Sequence, residues 1–198
     1  MLITEVKTCS PFGYTSTHSW EHLFKIAQKI GDMVSIHTDE RWGGSFELLK
    51  KACDISTKPV LAKGIHATDE EVQQALNCGA TSVLVVGRLP ANRFLHKVMI
   101  EPNSLDEIND LDKSLKVVWN ARDLKNGGTK SATFEEARNV FPGWLCQASF
   151  IKSFRDIHEK ADAAIVGTHL LEYYRSRSGI SRVSKTQQRS SILRRPAS

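Results

Sequence analysis

The chain has 198 residues, 40% of them hydrophobic, and a net charge of +5 at pH 7. This length fits one domain with a sizeable core, and no apolar run approaches the ~20 residues needed to cross a bilayer, so we expect a soluble protein. Residues 179–198 carry five basic residues and no acidic one, which leaves the rest of the chain neutral and argues against a nucleic-acid-binding or membrane-binding body.

The first half of the chain alternates short apolar runs with segments of helical periodicity, a pattern typical of βα units and a parallel sheet. Predicted strands cover residues 2–6, 33–38, 59–63 and 81–87. Between them, apolar residues lie on one helical face over 20–30 and over 46–52, and 68–80 reads as a helix with Thr68 as N-cap and Gly79 as its end.

The second half repeats this alternation. Predicted strands cover 97–101, 115–120, 144–149 and 161–167, with helices over 104–111 and 133–141 between them. Ser104 followed by Glu107 predicts a capping box at the first of these helices. Eight strands in one chain predict an α/β fold, a compact (β/α)8 TIM barrel over residues 1–178, and an open doubly wound sheet is the alternative because the chain is short for a barrel.

The remaining residues, 179–198, are rich in Ser, Arg and Gln and poor in large apolar side chains, which predicts a basic, disordered tail. The tail lacks the interleaved aromatic residues of a single-strand nucleic-acid platform, so no nucleic-acid partner is expected. The four cysteines are far apart and form no CxxC pair, which predicts neither a zinc site nor a disulfide framework and favours a cytoplasmic location.

Polar residues occur at seven of the eight predicted strand ends, and this distribution favours the barrel over the open sheet. A barrel brings the carboxyl ends of all its strands to one rim, where active sites of this fold lie. Neighbouring opposite charges at such a rim can tune pKa values for proton transfer. The residues concerned are Glu5 and Lys7, Thr38, Lys63, Glu101, Asn120, Ser149, and Gly167 with Thr168.

Several motifs resemble the indole-3-glycerol phosphate synthase family in order and spacing, over nearly the whole chain before the tail. They are EVKTCSPFG, HTDERWGGS, PVLAKGI, the strand ending at Glu101, WNARDL and ADAAIVGTHLL. The resemblance implies a tryptophan-pathway carboxy-lyase that closes the indole ring of 1-(2-carboxyphenylamino)-1-deoxyribulose 5-phosphate, losing carbon dioxide and water, with no metal or organic cofactor.

The resemblance also implies roles for the charged residues at the strand ends. Lys63 matches the lysine that protonates the ketone oxygen, and Glu101 matches the glutamate that helps to expel water. Lys7 and Glu5 lie two residues apart on one face of a strand and complete the proton and charge network. Lys63 and Glu101 could instead form a structural ion pair.

The remaining matches imply a ligand-binding rim. Asn120 and Arg122 are candidate substrate-binding residues, Asn120 for a hydroxyl, although both could serve the loop alone, and Trp42 could stack on the anthranilate ring. The phosphate is expected near strands seven and eight, where helix N-termini favour anions. Ser149, Gly167 and Thr168 match there, with Ser10 joining from the first loop. His37 and His66 also lie near strand ends, where isolated histidines are more often structural.

The chain departs from the family pattern at several positions of this rim. Gly64 and Ile65 replace an Asp and a Phe, Ala148 replaces a glutamate, and Phe150 replaces a glycine. The N-terminal helical extension of the family is not found before the first strand, so a protein partner could cover an open mouth. These departures leave two alternatives to the synthase: a repurposed barrel that acts on a related phosphorylated or N-aryl compound, with Arg88 helping to shape its pocket, and a catalytically dead barrel that binds a phosphorylated ligand or a protein.

Overall fold

The computed structural model describes residues 1–177, which form a closed barrel of eight parallel strands. Each strand pairs with the next along the chain, and the last pairs with the first. The predicted (β/α)8 barrel is therefore confirmed, and the open-sheet alternative is wrong. The predicted tail, 179–198, lies outside the described residues.

The eight strands lie where the apolar runs predicted them, and their ends differ from the prediction by at most two residues. The outermost residues of the apolar runs belong to turns, so the hydrogen-bonded ladder is shorter than the run. The strands are β1 Leu2–Val6, β2 Met33–His37, β3 Val60–Lys63, β4 Ser82–Val86, β5 Val98–Glu101, β6 Val117–Asn120, β7 Leu145–Ala148 and β8 Ala163–Val166.

Helices follow some strands, while only short 3-10 turns follow others. These short connections allow a complete barrel to form from fewer than 200 residues. The helices are α1 Trp20–Ile30, α2 Phe46–Ile55, α3 Asp69–Asn77, α4 Leu105–Asn109, α5 Phe134–Val140 and α6 over 170–177. The connections after β4 and β7 contain only the 3-10 turns Asn92–Lys97 and Phe154–Asp156. No helix within residues 1–177 is both long and apolar enough to span a membrane.

One predicted helix cap is wrong in part. The Ser104 hydroxyl accepts a hydrogen bond from the Glu107 backbone N–H at 3.2 Å, as the capping box requires. The Glu107 carboxylate, however, accepts from the backbone N–H of Asn103 at 2.6 Å and not from that of Ser104. The neighbouring N–H is the nearer donor, so only half of the box forms.

Two apolar layers stabilise the barrel. One lies between the strands and the helices, and the other fills the interior of the barrel. The outer layer contains residues such as Leu49, Val83 and Trp119, whereas Leu61 and Met99 pack inside. Alternation along each strand assigns successive side chains to opposite layers. The inner layer is apolar except near the carboxyl ends of the strands, where polar side chains replace the aliphatic ones.

Candidate active site

The carboxyl-terminal mouth of the barrel holds a cluster of polar side chains from five strands. Glu5, His37, Glu101 and Asn120 are buried, and the Lys63 side chain is only 11% exposed. Two adjoining cavities open above them, with free volumes of about 430 and 390 Å³ including their open mouths. Both cavities are lined by Lys7, Lys63, Arg122 and Ser149, so together they form one continuous site.

Glu5 is the centre of the charge network. One carboxylate oxygen accepts from Lys63 Nζ at 2.5 Å, and the other accepts from Lys7 Nζ at 3.1 Å and His37 Nε2 at 3.0 Å. Burial alone would raise the pKa of Glu5, but the positive charges of Lys63 and Lys7 and the contact with His37 hold it well below its usual value. Glu5 is therefore a permanent anion at neutral pH.

The two lysines beside Glu5 differ in their acidity. Burial favours the neutral amine at both, but Glu5 and Glu101 together raise the pKa of Lys63 above its usual value. At Lys7 burial prevails, supported by repulsion from Lys63 and Arg122, so the pKa of Lys7 is lowered even with Glu5 alongside. Lys63 is consequently held in its protonated form, and Lys7 gives up its proton more readily.

Glu101 lies across the mouth from Glu5, 1% exposed, and forms no ion pair with Lys63 within residues 1–177. The alternative of a structural Lys63–Glu101 pair is therefore wrong, because Glu5 takes the lysine. One Glu101 oxygen accepts from Asn120 Nδ2 at 2.8 Å, and Oε2 has no hydrogen-bond partner among the described residues. Burial raises the pKa of Glu101 despite the nearby positive charge of Lys63 and the Asn120 hydrogen bond.

Asn120 connects Glu101 to the far side of the mouth. Its Oδ1 accepts from Ser149 Oγ at 2.6 Å and from the Arg122 backbone N–H at 3.0 Å. The amide oxygen is thus used within the protein, and only part of the Nδ2 donor capacity is left for a ligand hydroxyl. The geometry favours a role for Asn120 in orienting Glu101 and Ser149.

Trp42 lies in the 3-10 turn Glu40–Trp42 that follows β2, and it lines the first cavity. Its ring is parallel to that of His37, with centroids 5.6 Å apart, and the Arg41 guanidinium lies 4.9 Å from its centroid. Gly44 permits this fold of the loop, because a Cβ there would lie 2.0 Å from the carbonyl oxygen of His37. The tryptophan is therefore held at the wall of the mouth.

The second cavity has the features of an anion pocket. Lys7, Arg122, Ser149, Gly167 and Thr168 line it, and α6 begins two residues after Thr168. A side chain at Gly167 would lie 2.6 Å from the Glu5 carboxylate, so that position needs glycine. Ser10 lines neither cavity; its hydroxyl accepts from the Phe12 backbone N–H at 3.2 Å within its own loop.

Phe150 occupies the rim of this pocket in an unusual conformation. Ser149 and Phe150 have φ angles of +75° and +58°, a left-handed region that favours glycine. The Phe150 side chain is 43% exposed, and the Arg122 guanidinium lies 4.9 Å from its ring centroid and 5.1 Å from that of Phe12. Backbone strain of this kind is concentrated at functional sites.

The two histidines differ. His66 is fixed by the protein at both nitrogens, with contacts to Leu84 O and Thr38 Oγ1, which is a structural role. His37 instead contacts Glu5 and lines the first cavity. Its position at the end of β2 was the signal in the sequence, but the sequence did not indicate that its ring would contact Glu5.

No family model matches the chain. Indole-3-glycerol phosphate synthase of Sulfurisphaera tokodaii is 26% identical over 193 residues, covering 86% of this chain and 78% of that protein. The synthase of Pyrococcus furiosus is 29% identical over 198 residues, covering 86% of each chain, and that of Thermococcus kodakarensis is 36% identical over 93 residues, covering 44% of this chain and 40% of that protein. Over most of its length, the chain is thus similar to indole-3-glycerol phosphate synthases at 26–29% identity.

The end of β7 contributes no charged side chain to the mouth. Ala148 is 1% exposed and packs inside the barrel, where it offers no carboxylate to the mouth. Ile65 lines the first cavity and gives it an aliphatic wall. The charged side chains of the mouth lie around Glu5 and Glu101, whereas the side of the mouth formed by β7 is more apolar.

The ion-pair network predicts how stability varies with pH. We expect Glu5→Gln to lower the free energy of unfolding at pH 7 by about 3–5 kcal/mol, because two ammonium groups lose their counter-charge. The folded-state pKa of Glu5 lies well below 4.5, so its contribution is present above that value and is lost as the pH falls through the folded pKa.

Urea unfolding of both proteins between pH 7 and pH 3 measures this effect. The difference in free energy between them should be constant above about pH 4.5 and shrink below it. Glu159→Gln, at an exposed glutamate before β8, is the control and should leave the free energy of unfolding unchanged at each pH. A difference that is the same at every pH would contradict the assigned role of Glu5.

Proposed function

We propose that this protein closes the indole ring of 1-(2-carboxyphenylamino)-1-deoxyribulose 5-phosphate, releasing carbon dioxide and water, as a carboxy-lyase of tryptophan biosynthesis. One observation carries the proposal: the mouth places Lys63, protonated and paired with Glu5, near Glu101, whose Oε2 has no partner among residues 1–177. The names of the relatives support the same reaction.

The first step joins the aryl ring to the sugar. The aromatic carbon that bears the carboxylate attacks the ketone carbon, and the ketone oxygen takes a proton from Lys63. The carboxylate then leaves as carbon dioxide, and the electrons of the broken C–C bond restore the aromatic ring. Lys63 suits this step because Glu5 keeps it charged and because its ammonium also attracts the substrate carboxylate.

The second step removes water. The new hydroxyl leaves with a proton from an acid, and a base removes a proton from the carbon attached to nitrogen, which creates the double bond of the indole. We assign the base to Glu101, which is buried and oriented by Asn120. We assign the acid to Lys7, because burial lowers its pKa and because it lines both cavities.

The substrate phosphate is assigned to the second cavity. Arg122 supplies a charge there, Ser149 and Thr168 supply hydroxyls, and Gly167 exposes backbone. The aryl ring is assigned to the first cavity, beside Trp42 and the apolar side chains of Ile65 and Leu84. This orientation places the reacting carbons between the two cavities, next to Lys63.

Indole fluorescence tests the function directly. Purified protein mixed with 1-(2-carboxyphenylamino)-1-deoxyribulose 5-phosphate should produce a signal that grows with time and is proportional to protein concentration. No signal at high protein concentration would reject the proposal. Binding of the substrate without turnover would favour a barrel that only binds phosphorylated ligands.

A second candidate rests on Ala148 and on the left-handed backbone at Phe150. A carboxylate is missing at Ala148, and an aromatic ring narrows the anion pocket, so the site could instead serve a related phosphorylated N-aryl compound. If the chain retains the synthase reaction, the double variant Ala148→Glu with Phe150→Gly should turn over about tenfold faster or more, since it restores an ionisable group and open backbone.

The kcat of the double variant, measured by indole fluorescence, decides between the two candidates. Phe154→Gly, at an exposed phenylalanine of the neighbouring 3-10 turn, controls for loss of an aromatic side chain. A fall in kcat on restoring the two residues would favour the repurposed barrel.

A further inference from the structure

His37 makes an unusual set of contacts at the carboxyl end of β2. Its Nε2 lies 3.0 Å from Glu5 Oε1, and its ring stacks on Trp42. Its Nδ1 is buried and has no hydrogen-bond partner within residues 1–177. The histidine is 4% exposed, and the hydrogen bond with Glu5 is the only polar contact of its side chain among the described residues.

Such a histidine is a poor choice for stability. A buried polar atom without a partner destabilises the fold, and an aliphatic side chain would fill the same space without that penalty. The contact of Nε2 with Glu5 is therefore the feature that accounts for a histidine at this position.

The chemistry of that contact is fixed by the partner. Burial lowers the pKa of His37, and the negative charge of Glu5 raises it by less. The resulting pKa is about 4, so the ring is neutral at pH 7. Because Glu5 is ionised, it can only accept, and Nε2 must carry the hydrogen. His37 thus adds a donor to Glu5 without adding a third positive charge to the network.

We propose that His37 is a positioning residue, which holds the Glu5 carboxylate in the orientation that pairs its second oxygen with Lys63. The inference rests on the proposed function, because Lys63 is the acid of that reaction. The Glu5 carboxylate lies beside two cations, Lys7 and Lys63. The hydrogen bond from His37 Nε2 keeps Oε1 on the side of Lys7. The second oxygen, Oε2, is thereby directed at Lys63.

The charged and titratable groups around His37 come from β1 and the residue that follows it, from β3, and from the loop after β2. They are Glu5 on β1, Lys7 directly after it, Lys63 on β3, and Asp39 after β2. Of these, Glu5 alone contacts the ring directly. A change at His37 should therefore act through Glu5 on the protonation of Lys63.

Three variants of His37 test whether the hydrogen bond from Nε2 is the feature that matters. The amide of His37→Gln reaches the position of Nε2 and can still donate to Glu5, while His37→Asn is too short to do so and His37→Leu has no donor. We expect kcat to fall by about 10²-fold in His37→Leu and His37→Asn with little change in KM, and to recover in His37→Gln. The alkaline limb of the kcat/KM profile should move to lower pH in His37→Leu and His37→Asn.

A second measurement needs no substrate and so keeps the inference apart from the proposed function. The Lys63 Cε resonance, followed by NMR against pH, should titrate above the ordinary lysine value of 10.5 in the wild type and in His37→Gln, and at a lower pH than in the wild type in His37→Leu. Circular dichroism confirms that each variant folds, and His96→Leu, at an exposed histidine before β5, is the control.

The outcomes are distinct. If the wild type turns over the substrate and His37→Leu has the same kcat, the inference about His37 is overturned and the proposed function is retained. An unchanged Lys63 titration in His37→Leu would also overturn it. Absence of turnover in the wild type, with the Lys63 titration shifted as expected, would reject the synthase reaction while retaining the His37–Glu5–Lys63 coupling.

Discussion

Lys63→Ala should slow ring closure by about 10²–10⁴-fold, the range expected when a general acid is lost. The variant removes the proton donor, and it also removes the cation that lies 2.5 Å from Glu5 Oε2. kcat and kcat/KM, measured by indole fluorescence, should both fall. Lys50→Ala, at an exposed lysine of α2 that pairs with Asp54, should leave both unchanged.

Lys63→Arg separates proton transfer from charge. An arginine can still pair with Glu5, so the fold should be retained, but its guanidinium is too weak an acid to donate a proton at neutral pH. We expect Lys63→Arg to stay nearly as slow as Lys63→Ala while its melting temperature remains closer to that of the wild type. An arginine variant with the full wild-type rate would remove Lys63 from the acid role.

Glu101→Gln should cost about 10²–10⁴-fold in kcat for a related reason. Glutamine has the same shape and can still accept the hydrogen bond from Asn120, but it cannot take up a proton. In the wild type the raised pKa of Glu101 places the acid limb of the rate profile above the ordinary value of 4.5, with activity lost as the pH falls through it. Glu101→Gln should abolish that limb.

Stability should respond in the opposite direction, which distinguishes catalysis from folding. Because the folded-state pKa of Glu101 is raised, its ionisation destabilises the fold as the pH rises. Glu101→Gln should therefore be at least as stable as the wild type at pH 7 while it is far slower. Glu159→Gln, at an exposed glutamate before β8, is the matched control. Wild-type activity in Glu101→Gln, or loss of stability with the loss of rate, would contradict the assigned role.

The strand ends illustrate how far the sequence alone leads to the site. Alternation along β1 placed Glu5 and Lys7 on one face, and they form an ion pair at 3.1 Å. The ends of β3, β5 and β6 likewise carry Lys63, Glu101 and Asn120 into the mouth. These placements follow from the pleat of each strand and from the residue at which it ends, both of which are local properties of the chain.

The partners of those residues were not predictable in the same way. Lys63 pairs with Glu5, 58 residues away, and not with Glu101. Ser10 follows β1 by only four residues, yet its loop keeps the hydroxyl on Phe12 and outside both cavities. Such choices depend on the stagger between strands and on the path of each loop, which the periodicity of a single segment does not record.

The polar residues at the strand ends therefore determined, from the sequence by itself, that this chain forms a (β/α)8 barrel with a charged mouth. Only the tertiary structure decided that Glu5 binds both lysines and His37 and that Glu101 is left with Asn120. The reason is physical: the pleat fixes which face a side chain occupies, but closure of the barrel fixes which distant charges meet, and burial then sets their pKa values.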